Sequence, residues 1–177
     1  MFKLSLTQFY DNFIAQDAPF GLPEFFDAKG DTNIVASPWS EGPLDIPTND
    51  EEGINIDETD RNERAILSRK ISMQVKVTGV PFLSSSRYFK YHRIVEKSDT
   101  KVVVEGTNKT PDVPYSGNFY VFDRWVIMSV PNGDSCIYRS TVRPIFVKDT
   151  IFKNKITGRV YSDTKEIAKV WYSMAKK

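Results

Sequence analysis

The chain has one cysteine and one histidine in 177 residues. A lone cysteine, Cys136, excludes an intramolecular disulfide and a cysteine zinc cluster, and it points to a reducing compartment. A lone histidine, His92, excludes any site built on paired histidines. The patterns HExxH and GxSxG and the Walker phosphate loop are missing, so nothing points to catalysis and no cofactor is expected. No apolar run approaches the roughly 20 residues that cross a bilayer as a helix. The opening MFKLSLTQFYDNF is too short in apolar residues for a signal peptide. Basic and aromatic residues are not interleaved as in an RNA-recognition signature, so nucleic acid is not an expected partner. What is present is a globular composition, 40% hydrophobic and 27% charged. That suits one monomeric domain over 1–177, long enough to bury a core.

Net charge is only +1, but it is unevenly placed. Glu41 to Glu63 holds nine acidic residues against Arg61 alone, with Gly42, Pro43, Pro47 and Gly53 and no lasting period. It reads as a long mobile loop. From Arg139 onward ten basic residues face three acidic ones, a balance that suits an anionic membrane surface as well as ordinary helix solvation.

Ser5 and Gln8 have capping-box spacing, and Leu6, Phe9, Tyr10, Phe13 and Ile14 follow at helical intervals. Pro23 opens a second helical turn that ends near Gly30. Thr32 to Trp39 reads as a short strand. RKISMQVKVTG alternates, with Ile71, Met73, Val75 and Val77 on one face, the signature of a half-buried strand. Extended runs follow at about 87–96, 101–107 and 119–130. The Asn-Gly pair in PNGD then turns the chain into 135–146. The triplet Asn108, Lys109, Thr110 reads as a plain turn. From Asp149, a candidate N-cap, Phe152, Ile156, Val160, Ile167, Trp171 and Met174 keep helical spacing to Ala175, with Gly158 as a point of kinking or close packing. The fold class is therefore α+β: two short helices, a run of antiparallel strands, and a long terminal helix. A curved sheet wrapped on such a helix leaves room for an apolar ligand. His92, inside YFKYHRIV, reads as structural or cavity-lining.

The stretch TPDVPYSGNFYVFDRW, Thr110 to Trp125, closely resembles the signature of the VASt domain, the StAR-like module of GRAM-domain and Aster-type sterol transporters. Thr110, Asp112, Val113, Pro114, Tyr115, Phe119, Arg124 and Trp125 carry the match, and SPW at Ser37 to Trp39 and the strand led by Arg69 agree in order.

The resemblance implies a helix-grip fold with a sterol or similar lipid between sheet and terminal helix. It also implies a lid in TGVPFLSSSR, whose apolar tip is Val80, Pro81, Phe82 and Leu83. Where relatives carry a Gly-Pro-Lys, this chain has Ser84, Ser85 and Ser86. Cavity-lining candidates are Met73, Val75, Tyr91, His92, Tyr115, Phe119, Trp125, Ile167 and Trp171, with His92, Tyr91 and Tyr115 as candidates to orient a hydroxyl. Phe119 and Trp125 suit core packing equally well, and strand alternation leaves open which face looks inward. The implied setting is the cytoplasmic face of membranes at endoplasmic reticulum contact sites, within a larger anchored protein. The rival reading is a protein- or anionic-membrane interaction module that carries no transferable lipid.

Overall fold

The computed structural model describes residues 1–44, 63–131 and 133–176. Most of the acidic stretch, and Asn132 of the Asn-Gly pair, lie outside the described residues. Helix α1 (Leu6–Phe13) starts as its sequence predicts. Ser5 Oγ accepts from the Gln8 amide at 3.1 Å and Gln8 Oε1 accepts from the Ser5 amide at 2.9 Å, so two otherwise bare helix-start donors satisfy each other's residue. Helix α2 (Leu22–Lys29) carries Pro23 in its first turn and closes on Gly30 at φ 91°, a left-handed conformation that glycine enters without steric cost.

Seven strands follow among the described residues: β1 (Thr32–Ala36), β2 (Ser40–Glu41), β3 (Leu67–Lys76), β4 (Ser85–Lys97), β5 (Lys101–Lys109), β6 (Phe119–Ser129) and β7 (Cys136–Phe146). They form one open antiparallel sheet in the order β1-β3-β4-β5-β6-β7, with β2 also pairing with β3. The strand predicted at 32–39 ends at Ala36, ahead of Pro38, which cannot donate to the ladder, and pairing resumes only at β2.

Register settles the faces that alternation left open. Leu67, Ile94, Val104 and Trp125 lie in one row across β3 to β6. Arg69, His92, Gly106 and Asp123 form the next row, and Ile71, Lys90, Asn108 and Val121 the one after. Opposed residues of paired strands share a face, so all three rows look one way, toward the helices. The core on this inner face gathers Phe9, Phe13 and Ile14 of the α1 region, Phe25 and Phe26 of α2, and Ile71, Val104, Trp125 and Ile127 of the sheet. The outer face has its own small cluster of Tyr91, Tyr120 and Phe122, against which Leu44, Phe89 and Ile145 pack.

The terminal helix, α3 (Lys153–Met174), has 22 residues and spans about 33 Å at 1.5 Å per residue. Its N-cap is Phe152, three residues later than expected. Asp149 does not cap it: its Oδ1 accepts from the next amide, Thr150, at 3.0 Å, and Thr150 Oγ1 accepts from Phe152 N at 3.2 Å. Those local turns use up the side chains that would have started a helix there. Gly158 does not pack closely, since a Cβ built on it meets nothing within 4 Å. The predicted turn at Asn108 is also corrected. Asn108 is a buried residue of β5. The whole is the α+β helix-grip arrangement that the resemblance implies.

Trp171 is the one fully buried side chain of α3, with ring centroids 5.1 to 5.9 Å from Phe2, Phe13, Trp125 and Tyr138. Trp171→Ala is expected to cost about 3–5 kcal/mol, the usual range for emptying a large aromatic site. Ile167→Ala, at a side chain 43% exposed, is expected to cost under about 1 kcal/mol. Urea unfolding of both variants checks the contrast.

Candidate functional site

The inner face divides in two. Near Trp171 it is a packed aromatic core. Over 153–168 no α3 side chain is fully buried; Ile156, Val160 and Thr164 are only half-buried, and so are Val75, Val121, Val142 and Pro144 on the inner face of the sheet. Apolar side chains in full contact would bury one another. Helix and sheet are therefore incompletely packed over this half, and the partly covered strip of inner face along α3 is the candidate groove.

A hydrogen-bonded polar network lies on the inner face across β4, β5 and β6. Lys90 Nζ donates to Asp123 Oδ1 at 2.5 Å and to Asn108 Oδ1 at 3.1 Å. Asn108 Nδ2 donates to Asp123 Oδ1 at 2.6 Å and to the Val121 carbonyl at 2.9 Å. The Tyr88 hydroxyl donates to Asn108 Oδ1 at 2.5 Å. Burial and the Asp123 charge hold that phenol well above its ordinary pKa, so it stays a donor. Gly106 sits directly beneath the Lys90–Asp123 pair, and a Cβ there would collide with both charged groups. The close approach of the pair requires glycine. Asp123 Oδ2 has no hydrogen-bond partner among the described residues, and the side chain is 15% exposed.

The neighbouring row holds a second buried set. Arg69 lies with its guanidinium 4.4 Å from the Trp39 ring centroid, and its Nε donates to His92 Nδ1 at 3.4 Å. Trp39 is itself pinned by donating from Nε1 to the Ile14 carbonyl at 3.0 Å. Burial lowers the Arg69 pKa to about 10, so the group stays charged at neutral pH. Because Nδ1 accepts, the His92 proton belongs on Nε2, which has no partner among the described residues. Burial first, then the charges of Arg69, Lys90 and Arg93, push the His92 pKa well below its ordinary value.

The groove's mouth is built from three connections that antiparallel topology brings to one end: β3–β4, β5–β6 and β7–α3. In the first, Phe82 is fully exposed with φ 62°, a left-handed conformation that strains a bulky residue. Arg159 of α3 holds the base of this connection, donating from Nη2 to Thr78 O at 3.1 Å and to Thr78 Oγ1 at 3.0 Å, while Nε donates to Asp163 at 2.7 Å. In the second, Asp112 accepts from the Arg87 amide at 2.8 Å and from its guanidinium at 2.7 and 3.1 Å. Those donors hold the Asp112 carboxyl below the usual carboxylate range. Lys109 Nζ donates to the Ser116 and Phe119 carbonyls, and its burial beside Lys148 lowers its pKa to about 8. Tyr115, at φ 64°, stacks on Phe152 with centroids 4.7 Å apart.

The sequence candidates are thus dispersed. Met73, Trp125 and Trp171 are core residues, Met73 opposite Tyr88 one row toward the mouth from Lys90, and Val75 lies half-buried on the inner face. His92 is on the inner face beside Trp39 and Trp125, at 5.0 and 6.1 Å between ring centroids. Tyr91, one residue away, belongs to the outer-face cluster, because successive strand residues point to opposite sides. Phe119 is buried at the mouth against Phe146, Tyr115 stands at the elbow, and Ile167 is largely exposed. Of the lid tip, Phe82 and Pro81 are exposed and Val80 and Leu83 half-buried. Asp112 pairs with Arg87, whereas Arg124 faces Glu105 at 3.7 Å. The residues missed were Tyr88, Lys90, Asn108 and Asp123. For Lys90 and Asp123 the one signal was charge inside a strand, and the uncharged Tyr88 and Asn108 gave none. A separate open groove of about 540 Å³ beside α2 is lined by Glu24, Asp27, Asp31, Thr32 and Asn33 with Pro23 and Ile34, a mostly polar wall.

His92 makes a clean pH prediction, since it is the chain's one histidine. Below about pH 6.5 the unfolded chain takes up a proton that the folded chain refuses, so stability falls with pH there and does not depend on this group above it. The expected slope approaches about 1.4 kcal/mol per pH unit between about pH 6 and 5. His92→Gln, although less stable overall, is expected to lose that slope in denaturant titrations at stepped pH.

Among known families, the model named VASt and described as "VAD1 Analog of StAR-related lipid transfer domain" matches residues 1–163. None of the curated proteins matches the chain. The matched span runs from α1 through the sheet and into α3, taking in the polar network and all three connections at the groove's mouth. The chain belongs to the VASt family of StAR-related lipid-transfer domains.

Proposed function

We propose that the chain carries a sterol-class lipid in the groove between α3 and the sheet and moves it between membranes. The observation that carries this reading is the polar network along a groove whose other walls are apolar. Lys90 and Asp123 neutralise each other, and Asp123 Oδ2 remains open to accept a hydrogen bond. A neutral lipid with one hydroxyl fits that charge pattern, donating to the carboxylate. A phosphate head would meet the carboxylate with like charge.

The energetics suit a shuttle. Hiding about 300 Å² of sterol surface is worth on the order of 7 kcal/mol against water at ~25 cal/mol per Å², and a bilayer offers similar shelter. Extraction is then close to balanced. The Arg159 latch on the lid is solvent-exposed, and exposed pairs of this kind are worth about 0–1 kcal/mol. Opening the mouth is correspondingly inexpensive.

Purified protein is expected to extract fluorescent sterol from donor vesicles and deliver it to acceptors. Folded protein that does neither rules the reading out. The double variant Lys90→Met with Asp123→Leu removes both charges at once and leaves neither unpaired. It is expected to lose about 10- to 100-fold of the preference for sterol over its 3-deoxy analogue, the worth of one hydrogen bond to a charged group. Separately, Arg159→Ala is expected to speed sterol release by up to about fivefold, since at most about 1 kcal/mol of restraint is removed. Its melting temperature is expected to stay within about 2–4 °C of the parent.

A further inference from the structure

Two hydrogen-bonding atoms of the inner face stand unused. His92 Nε2 and Asp123 Oδ2 each lack a partner among the described residues, and His92 is only 1% exposed. A buried donor without an acceptor is costly to keep, and it calls for an explanation. The surroundings of His92 supply none. The nearest rings, Trp39 and Trp125, carry indole N–H groups, which donate only. The charges that act on it, Arg69, Lys90 and Arg93, are donors as well.

The direction of the bare nitrogen follows from the neighbour on the other side. His92 and Asp123 share one register row, on β4 and β6, with only Gly106 of β5 between them. Arg69 faces His92 from β3 and donates to Nδ1 at 3.4 Å. The two nitrogens lie on opposite sides of an imidazole, so fixing Nδ1 toward β3 turns Nε2 toward β5 and β6. The same bond fixes the tautomer that carries the proton on Nε2. Gly106 puts no side chain in the way, and the Lys90 and Asp123 head groups lean over it. The strands set β4 and β6 about 10 Å apart. A bridge of the form N–H···O–H···O takes up about 5.5 Å of that, and the two side chains, reaching toward each other over glycine, supply the remainder.

One kind of atom satisfies both sides, an oxygen that accepts from an N–H and donates to a carboxylate. That is a hydroxyl. A ketone or ether oxygen accepts from His92 but turns lone pairs on Asp123, and a hydrocarbon leaves both groups bare. We infer that His92 is the second residue that recognises the lipid hydroxyl, donating from Nε2 to its oxygen while the hydroxyl donates to Asp123 Oδ2. The inference rests on the lipid-carrier reading and deepens it. Arg69, braced by Trp39, is then a positioning residue that acts through His92. Tyr91 and Tyr115, equal candidates by sequence, stand on the outer face and at the elbow.

Because His92 is the chain's one histidine, its NMR signal needs no assignment. Protein labelled at histidine nitrogen is loaded with cholesterol, with its 3-deoxy analogue or with the matching 3-ketone. Cholesterol is expected to move the Nε2–H resonance and slow its exchange with water, and the 3-deoxy analogue to leave both unchanged. The ketone is expected to bind at least about tenfold more weakly than cholesterol. His92→Phe is expected to lose about three- to tenfold of the preference for cholesterol over the 3-deoxy analogue, the worth of one neutral hydrogen bond. His92→Gln, whose amide N–H replaces the Nε2 donor, is expected to keep that preference within about twofold. The NMR readout uses the parent protein, so it decides the matter even where His92→Phe fails to fold. Bound cholesterol with an unmoved Nε2–H signal, the same movement with the 3-deoxy analogue, or undiminished preference in folded His92→Phe overturns this inference and leaves the carrier reading standing. Protein that takes up no cholesterol overturns both.

Discussion

Trp171 is the one fully buried side chain of α3, and it fastens the last turns of the helix to the core. Its seat among Phe2, Phe13, Trp125 and Tyr138 draws together the first residues of the chain, α1, β6, β7 and the helix itself. A rod fastened at one end must be held differently at the other. At the mouth α3 is restrained by Arg159, exposed and hydrogen-bonded to a loop, and by Phe152 against Tyr115. Stability is thereby concentrated where nothing needs to move, and the groove lies under the end where little is spent on closure.

The same division appears in the buried charges. Arg69 and His92 lie at the core side of the inner face, braced by Trp39. Lys90 and Asp123 lie one step toward the mouth, braced by Asn108 and Tyr88. Each set includes ionised groups whose removal from water costs several kcal/mol unless partners are supplied. An ordinary core would use apolar residues here. The proposed ligand, a lipid with one hydroxyl, gives a reason to keep such groups in place, and the register sets them side by side rather than leaving them to a flexible loop.

Much of the architecture was legible because it follows from local chemistry. Ser5 and Gln8 announced α1, Pro23 and Gly30 bounded α2, and the alternation through Ile71, Met73 and Val75 gave β3 its inner face. The helix-grip fold came from the Thr110 to Trp125 motif. What was not legible depended on register. Tyr91 and His92 are neighbours in sequence and equally polar, yet one strand position sends them to opposite faces. Asn108 looked like a turn because Lys109, Thr110 and Pro111 follow it, but pairing with Lys90 and Val121 keeps it in β5 and buries it. Asp123 stood out in its apolar strand, but nothing local linked it to Lys90, 33 residues away. The start of α3 was misplaced for the opposite reason: Asp149 has the chemistry of a cap but uses it on Thr150.

The three tryptophans of the chain share one location. Trp39 lies against Arg69 and His92, Trp125 stands between His92 and Trp171, and Trp171 closes the aromatic seat. None is at the mouth or beneath the first turns of α3. Intrinsic tryptophan fluorescence of this protein therefore watches chiefly the fastened half, and only Trp125, two residues from Asp123 on the same face, borders the polar network. A flat emission signal on mixing with lipid reports only that the core has not changed. An optical view of occupancy needs an indicator placed beyond Arg159.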